Sequence, residues 1–132
     1  LLSRLDNAMS RAQIEADPIA AASLCARLTG QVVLLKGNVT TIAGPGGQVL
    51  QTPPATPALA TAGSGDVLAG IMGALIASNL GRIESREVEL VGLAFAAAML
   101  HAEAGALAAK SGPVAALDIA EAVRTVVRGY LA

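Results

Sequence analysis

Four apolar residues in a row, VVLL at 32–35, constrain most tightly what this chain can fold into. A uniformly apolar run that opens on β-branched side chains has no polar face to give to water. It fits a short central strand covered on both sides, not one that alternates between core and solvent. The covers must be helices, and the chain supplies them. Asp17 before Pro18 is an N-cap and first-turn signal, and Ile19, Ala20, Leu24 and Leu28 run to a stop at Gly30, which predicts a helix over 18–29. Further helices are expected from about Ser64 to Ser78, from about Arg86 to Lys110, and from Asp118, with Glu121 three residues on, to about Leu131. TTIA (40–43) and QVLQ (48–51) flank GPGG, the pattern of a hairpin. The proline-rich segment 52–62 reads as an ordered, strandless loop. The fold class implied is α/β.

Composition narrows the function. The chain has 132 residues, the size of one domain or part of one. It is 54% hydrophobic but only 2% aromatic, so its core must be assembled mainly from Ala, Val, Leu and Ile. Nine Lys and Arg against ten Asp and Glu give a net charge of −1, with no basic stripe interleaved with aromatics, which argues against nucleic acid as a partner. The apolar runs are broken by Asn79, Glu89, His101 and Glu103, which argues against a membrane, and a cytoplasmic protein is the simplest reading. Cys25 has no partner for an internal disulfide and reads as core packing, as do Met72 and Met99. No cluster has metal-ligand spacing. The first residue is Leu, and LLSRL reads as the middle of a chain, so the expectation is a portion of a longer domain.

Two segments carry chemistry. In LLKGNVT (34–40) a lysine and a glycine directly follow the buried strand, and ligands in open α/β sheets bind outside the carboxyl ends of strands. Lys36 is placed to meet a phosphate there, and Gly37 lets the backbone come close; a solvated strand-end lysine fits these residues equally well. In AGSGD (62–66), Gly63, Ser64 and Gly65 precede an apolar helix, so backbone N–H groups and a positive dipole end converge as they would on an anion. An ordinary glycine turn, with Asp66 complementing the dipole, fits equally. The P-loop would need Gly-Lys before Ser or Thr, the dinucleotide fingerprint a small residue at Leu68, and the nucleophile elbow glycines at 62 and 66. Ser64 is therefore a poor nucleophile candidate. A carboxylate beside a phosphate site is repulsive unless it has a task, and taking the proton from an attacking hydroxyl would be one. The pair of segments suggests phosphoryl transfer with Asp66 as base. His101, inside an apolar helix, reads first as a satisfied histidine and second as a nucleotide contact.

With those residues read, VVLLKGNVTTIAGPGGQVLQTPPATPALATAGSGDVLAGIMGALIA resembles the nucleotide-binding half of the ADP-dependent NAD(P)H-hydrate dehydratases, members of the ribokinase-like superfamily. The resemblance is most specific in LKGNVT and LATAGSGDVLAG. It implies a three-layer sandwich, a central and mostly parallel sheet with helices on both faces, of which residues 1–132 would be the carboxyl-terminal portion. It implies repair of the hydrated cofactors NADHX and NADPHX to NADH and NADPH, with Mg2+ and with ADP, or ATP, as co-substrate. Carried over by position, Lys36, Gly37, Asn38, Val39, Thr40 and Gly65 hold the nucleotide. Gly63, Ser64 and Gly65 form the anion hole, and Asp66 and Thr56 meet the hydrated nicotinamide. A homo-oligomer, a tetramer by family resemblance, is also implied. Small-molecule kinases of the same superfamily, acting on a sugar or a vitamin precursor, share the glycine turn and its Asp, but LKG after the strand favours the dehydratase; a non-catalytic nucleotide-binding homologue is the other alternative. Thr56 stands where the family pattern has Asn, and Ala55, Ala58 and Ala62 stand where it has Gly. Those added methyl groups are expected to tighten the pocket or to restrict backbone angles that glycine permits.

Overall fold

The computed structural model describes residues 9–86 and 88–132, so the LLSRL opening lies outside the described residues. A short helix, α1 (Arg11–Ala16), which the sequence pattern does not announce, starts on a capping box between Ser10 and Gln13. Helix α2 (Pro18–Thr29) has the expected bounds. The Asp17 carboxylate accepts the Ala20 N–H at 2.9 Å, and Gly30, at φ +67°, closes the other end in the left-handed region.

Strands β1 (Val33–Leu35), β2 (Thr41–Ala43) and β3 (Val49–Gln51) follow, in the order β1-β2-β3. The hairpin falls where GPGG places it, with the Gly44 N–H donating to Gln48 O at 2.8 Å and Gly47 at φ +93°. The mostly parallel sheet is not what these strands form: both pairs are antiparallel, with Ile42 opposite Leu34 on one side and Leu50 on the other. Parallel neighbours need a crossover of about a dozen residues or more, and segments 36–40 and 44–48 are too short to provide one.

The three-layer arrangement is nonetheless present. Val33, Leu35, Ala43 and Val49 face α2 and meet Ala22 and Ala26, while Ala21 and Cys25 complete that contact. On the opposite face Ile42 and Leu34 pack against Val91, Ala94, Ala98 and Phe95 of helix α5 (Leu90–Ala108). Ala21, Ala26 and Ala43 are wholly buried, and methyl-sized side chains on both partners let the helix lie close on the sheet. VVLL is covered on both faces as expected, but it is not the central strand expected: β1 stands at one edge of the order β1-β2-β3 and is half-buried, and β2, paired on both sides, holds the centre.

Helix α3 (Ser64–Ser78) also has the expected bounds. The long helix expected from Arg86 begins instead at Leu90, after a separate short α4 (Leu80–Glu84). Arg86 sits at φ +61°, a left-handed residue that ends the helical path between the two. Helix α6 (Ala116–Leu131) starts earlier than Asp118 suggested: Asp118 is its third residue, and its carboxylate reaches back to accept the Ala115 N–H at 2.8 Å. Residues 90–111 have the length and mean hydropathy, 1.6, of a membrane span. Here that stretch is a core helix, with Val91, Ala97, His101 and Ala104 buried and α3, α6 and the sheet packed against it. Ile119 of α6 joins Ala104 and Leu59 in a second core. The Tyr130 hydroxyl donates to the Glu103 carboxylate, tying the end of α6 to α5.

Candidate functional site

The LKGNV loop leaves β1 and re-enters the sheet at β2, and backbone hydrogen bonds hold both its ends. The Thr40 N–H donates to Thr52 Oγ1 at 3.1 Å and Thr40 O accepts the Thr52 N–H at 3.0 Å, which extends the hairpin by one rung. The Ala55 N–H donates to Asn38 O at 2.8 Å, so the proline-rich segment is pinned across the loop. Gly37 earns its place by proximity, since a Cβ there would lie 3.1 Å from Val39 O.

These constraints shape a cavity of about 460 Å³. Lys36, Gly37, Asn38 and Thr40 form one wall, Thr56, Pro57 and Leu59 another, and Leu68, Ala98 and His101 close it from α3 and α5. The size suits a nucleoside or a comparable small molecule, and a few polar groups stand among apolar ones, as in ligand sites generally. Five residues proposed from the sequence therefore meet here: Lys36, Gly37, Asn38, Thr40 and Thr56. Thr56 caps the short 3-10 turn 57–59, its Oγ1 accepting the Ala58 N–H at 3.3 Å, which leaves its own hydroxyl hydrogen to donate. Val39 is not on this wall. It lines a smaller cavity of about 290 Å³ on the α1 and α2 side of the loop, with Ile14, Glu15 and Pro18.

Gly63, Ser64, Gly65 and Asp66 do not line the larger cavity either. The turn lies at the start of α3, with Asp66 exposed in the helix's first turn. Gly63 takes φ +81°, and a Cβ there would come 3.0 Å from the Ala116 methyl, so both conformation and space demand glycine. Two of the three proposed anion-hole amides are free for a ligand. The Ser64 N–H donates to Thr61 O at 3.3 Å, whereas those of Gly63 and Gly65 have no hydrogen bond among the described residues. Ala55, Ala58 and Ala62 carry no left-handed backbone: Arg86 is the only described non-glycine residue with positive φ, so alanine there costs no strain.

The residue that joins turn and cavity is His101, which the sequence offered only as a secondary possibility. It lines the cavity, is 3% exposed, and sets Nε2 at 2.9 Å from Ser64 O and 3.0 Å from Ser64 Oγ. A carbonyl oxygen only accepts, so Nε2 carries the proton and shares it between the two oxygens. That tautomer cannot take a proton from Ser64, and Ser64 is wholly buried, so this serine and histidine are not a nucleophile and its base. Burial pushes the His101 pKa below its ordinary 6.5; the bond to Ser64 O opposes this, and the Lys36 charge adds to it. No sequence pattern near LHAEAG marks the pairing, because its partner lies 37 residues away.

Comparison with known proteins now assigns the family. Residues 2–127 match the family model described as NAD(P)H-hydrate dehydratase. Over 98 residues, 74% of this chain and 19% of the relative, the chain is 49% identical to the bifunctional NAD(P)H-hydrate repair enzyme Nnr of Mycobacterium leprae. Over 105 residues, 80% of this chain and 33% of the relative, it is 37% identical to the ADP-dependent (S)-NAD(P)H-hydrate dehydratase of Neisseria meningitidis. The solved ADP/ATP-dependent NAD(P)H-hydrate dehydratase from Bacillus subtilis, co-crystallised with ATP and Mg2+ and soaked with CoA, superposes with a TM-score of 0.78 at 22% identity, over 90% of this chain and 42% of that one. The ribokinase-like fold expected from the resemblance is thereby established. The chain spans from about a fifth to under half of the length of these proteins. With nearly its whole length inside the family model, this chain belongs to the NAD(P)H-hydrate dehydratase family.

Proposed function

We propose that this chain supplies the nucleotide site and the Asp66 side of the substrate site of an ADP-dependent NAD(P)H-hydrate dehydratase, as the carboxyl-terminal part of that domain. The observation that carries the reading is the convergence of Lys36, Gly37, Asn38 and Thr40 of one loop with Thr56 of the proline-rich segment on one cavity whose histidine wall, from the distant α5, is bonded to the glycine turn. Lys36 offers the cation for a nucleotide phosphate, and the free amides of Gly63 and Gly65 offer neutral donors for the transferring group.

Asp66 accepts the proton of the hydroxyl on the hydrated nicotinamide ring. That oxygen forms a bond to the terminal phosphorus of ADP as the bridging P–O bond breaks and AMP departs. The carbon–oxygen bond then breaks, pushed by the ring nitrogen lone pair, phosphate leaves, and loss of a proton from the adjacent carbon restores the dihydronicotinamide. Hydroxide is a poor leaving group and phosphate a good one, which is why a nucleotide is consumed. No group of three or more His, Cys, Asp or Glu that could hold a metal occurs among the described residues. Mg2+ would be carried mainly by phosphate oxygens and water, with Asp66 as the carboxylate of the glycine turn that could hold it, and would neutralise charge on the phosphates. The cellular setting of this chemistry is the cytoplasm, and self-association of the Ala-rich helical protein accompanies it.

The test is to give the polypeptide that carries this chain NADHX, Mg2+ and either ADP or ATP, and to follow NADH absorbance. Recovery that depends on one nucleotide, and that falls about a thousandfold in Asp66→Asn, is the expected result. Wild-type turnover in Asp66→Asn would remove Asp66 from the mechanism, and a stable phosphorylated product in place of NADH would make the protein a kinase.

A further inference from the structure

We propose that His101 is the positioning residue of this site: its Nε2–H holds the Ser64 carbonyl and hydroxyl together, and so keeps the Gly63 and Gly65 amides aimed at the group bound beside the Lys36 cavity. The inference rests on the nucleotide reading above and adds to it a residue with no assigned role.

Three observations carry it. First, apart from local backbone bonds, His101 gives the turn its side-chain hydrogen bonds from another element. Gly63 is in the left-handed region, Ala62 and Gly65 carry no polar side chain, and Ser64 is the buried side chain of the turn. Second, both oxygens of Ser64 meet a single ring atom on another helix, at 2.9 and 3.0 Å. Ser64 opens α3 and its N–H donates to Thr61 O, and the ring adds a hold from another helix on both its carbonyl and its side chain. Third, His101 is the residue of the cavity wall whose side chain hydrogen-bonds to the turn. A molecule pressing on the ring from the cavity side therefore meets a group already committed to the turn. Carbonyl acceptance also defines the chemistry: the ring must be a donor at Nε2 and need not be charged, since one N–H serves both oxygens. An uncharged donor suits a place near Lys36, where a second cation would be repelled.

The test uses the isotopically labelled polypeptide that carries this chain, with ADP as the ligand. Ring 15N shifts above neutral pH are expected to show Nε2 protonated and Nδ1 bare; the reverse tautomer overturns the proposal whether or not ADP binds. His101→Met keeps bulk without a donor, and His101→Gln keeps a donor near the Nε2 position. ADP affinity is expected to fall at least tenfold in His101→Met while thermal unfolding stays cooperative, and to return to within about threefold of wild type in His101→Gln. Affinity in His101→Met within twofold of wild type, or no rescue by Gln, overturns it. If the wild-type chain binds no ADP, the nucleotide reading fails, and the clamp is judged without ligand by amide exchange at Asp66 and Val67, whose N–H groups donate to Gly63 O at 3.0 and 3.2 Å. Exchange tenfold faster in His101→Met and restored in His101→Gln supports it; unchanged exchange overturns it.

Discussion

The LKGNV loop and the GSGD turn both present glycine beside a polar residue, yet they are held by different means. The loop is held by backbone: its ends belong to the sheet, Asn38 O takes the Ala55 N–H, and no residue in it needs a left-handed angle. The turn, beyond its local backbone bonds, is held from outside by His101 on Ser64, and the Ala116 methyl leaves no room for a Cβ at Gly63. A loop fixed by its own hydrogen bonds tolerates changes of side chain, whereas a turn fixed by two tertiary contacts does not.

The sharpest way to break that contrast is Gly63→Val. A β-branched residue forced to φ +81° against Ala116 is expected to cost about 3 kcal/mol, read as a fall in chemical-denaturation midpoint without a change in slope. A cost under about 1 kcal/mol would mean that the turn relaxes and is not fixed from outside. Next is Lys36→Met, which removes the cavity's cation and leaves the loop's backbone bonds intact. Calorimetric ADP binding is expected to weaken by about 2 kcal/mol, with the melting temperature nearly unchanged. Gly37→Ala should cost about 1 kcal/mol, because its new methyl meets only Val39 O at 3.1 Å in an otherwise permissive conformation. Ala62→Gly, at a position with ordinary backbone angles, should cost about 0.5 kcal/mol through the unfolded chain alone.

The smallest effect is one of pH. The folded chain holds the His101 pKa below 6.5, so as pH falls the unfolded chain takes up the proton first. Stability from the neutral ring is therefore fully present above about 6.5 and is lost as pH falls below it. In His101→Gln that part of the slope of stability against pH should vanish, and an unchanged slope would show that His101 is not the group responsible.

The same contrast decides what could be read from the sequence. Helices α2 and α3, the hairpin and the loop wall of the cavity were legible because their signals are local: Asp17-Pro18 and Gly30, GPGG, and a lysine directly after an apolar strand. The antiparallel pairing of β2 with β3 is local too, in GPGG, and that of β1 with β2 follows from the shortness of segment 36–40. The start of α5 was missed because Arg86, an ordinary helix former, takes a left-handed angle that nothing in SREVE advertises. His101 was underrated because burial and the distant Ser64 give it its role, and neither has a period or spacing to betray it. The alanines at 55, 58 and 62 look in sequence like lost glycines, yet their backbone angles do not call for glycine, and Ala55 lines the cavity.

Tyr130 is the only tyrosine, and the chain has no tryptophan. Its hydroxyl donates to Glu103, and this bond holds its pKa above the usual 10.0. The protein therefore carries a built-in optical gauge of one event, the docking of its last helix. Undocking of α6 from α5 should register as a change in the emission of Tyr130, with no competing tyrosine or tryptophan within these 132 residues, while the cavity stays spectroscopically silent until a ligand brings its own chromophore.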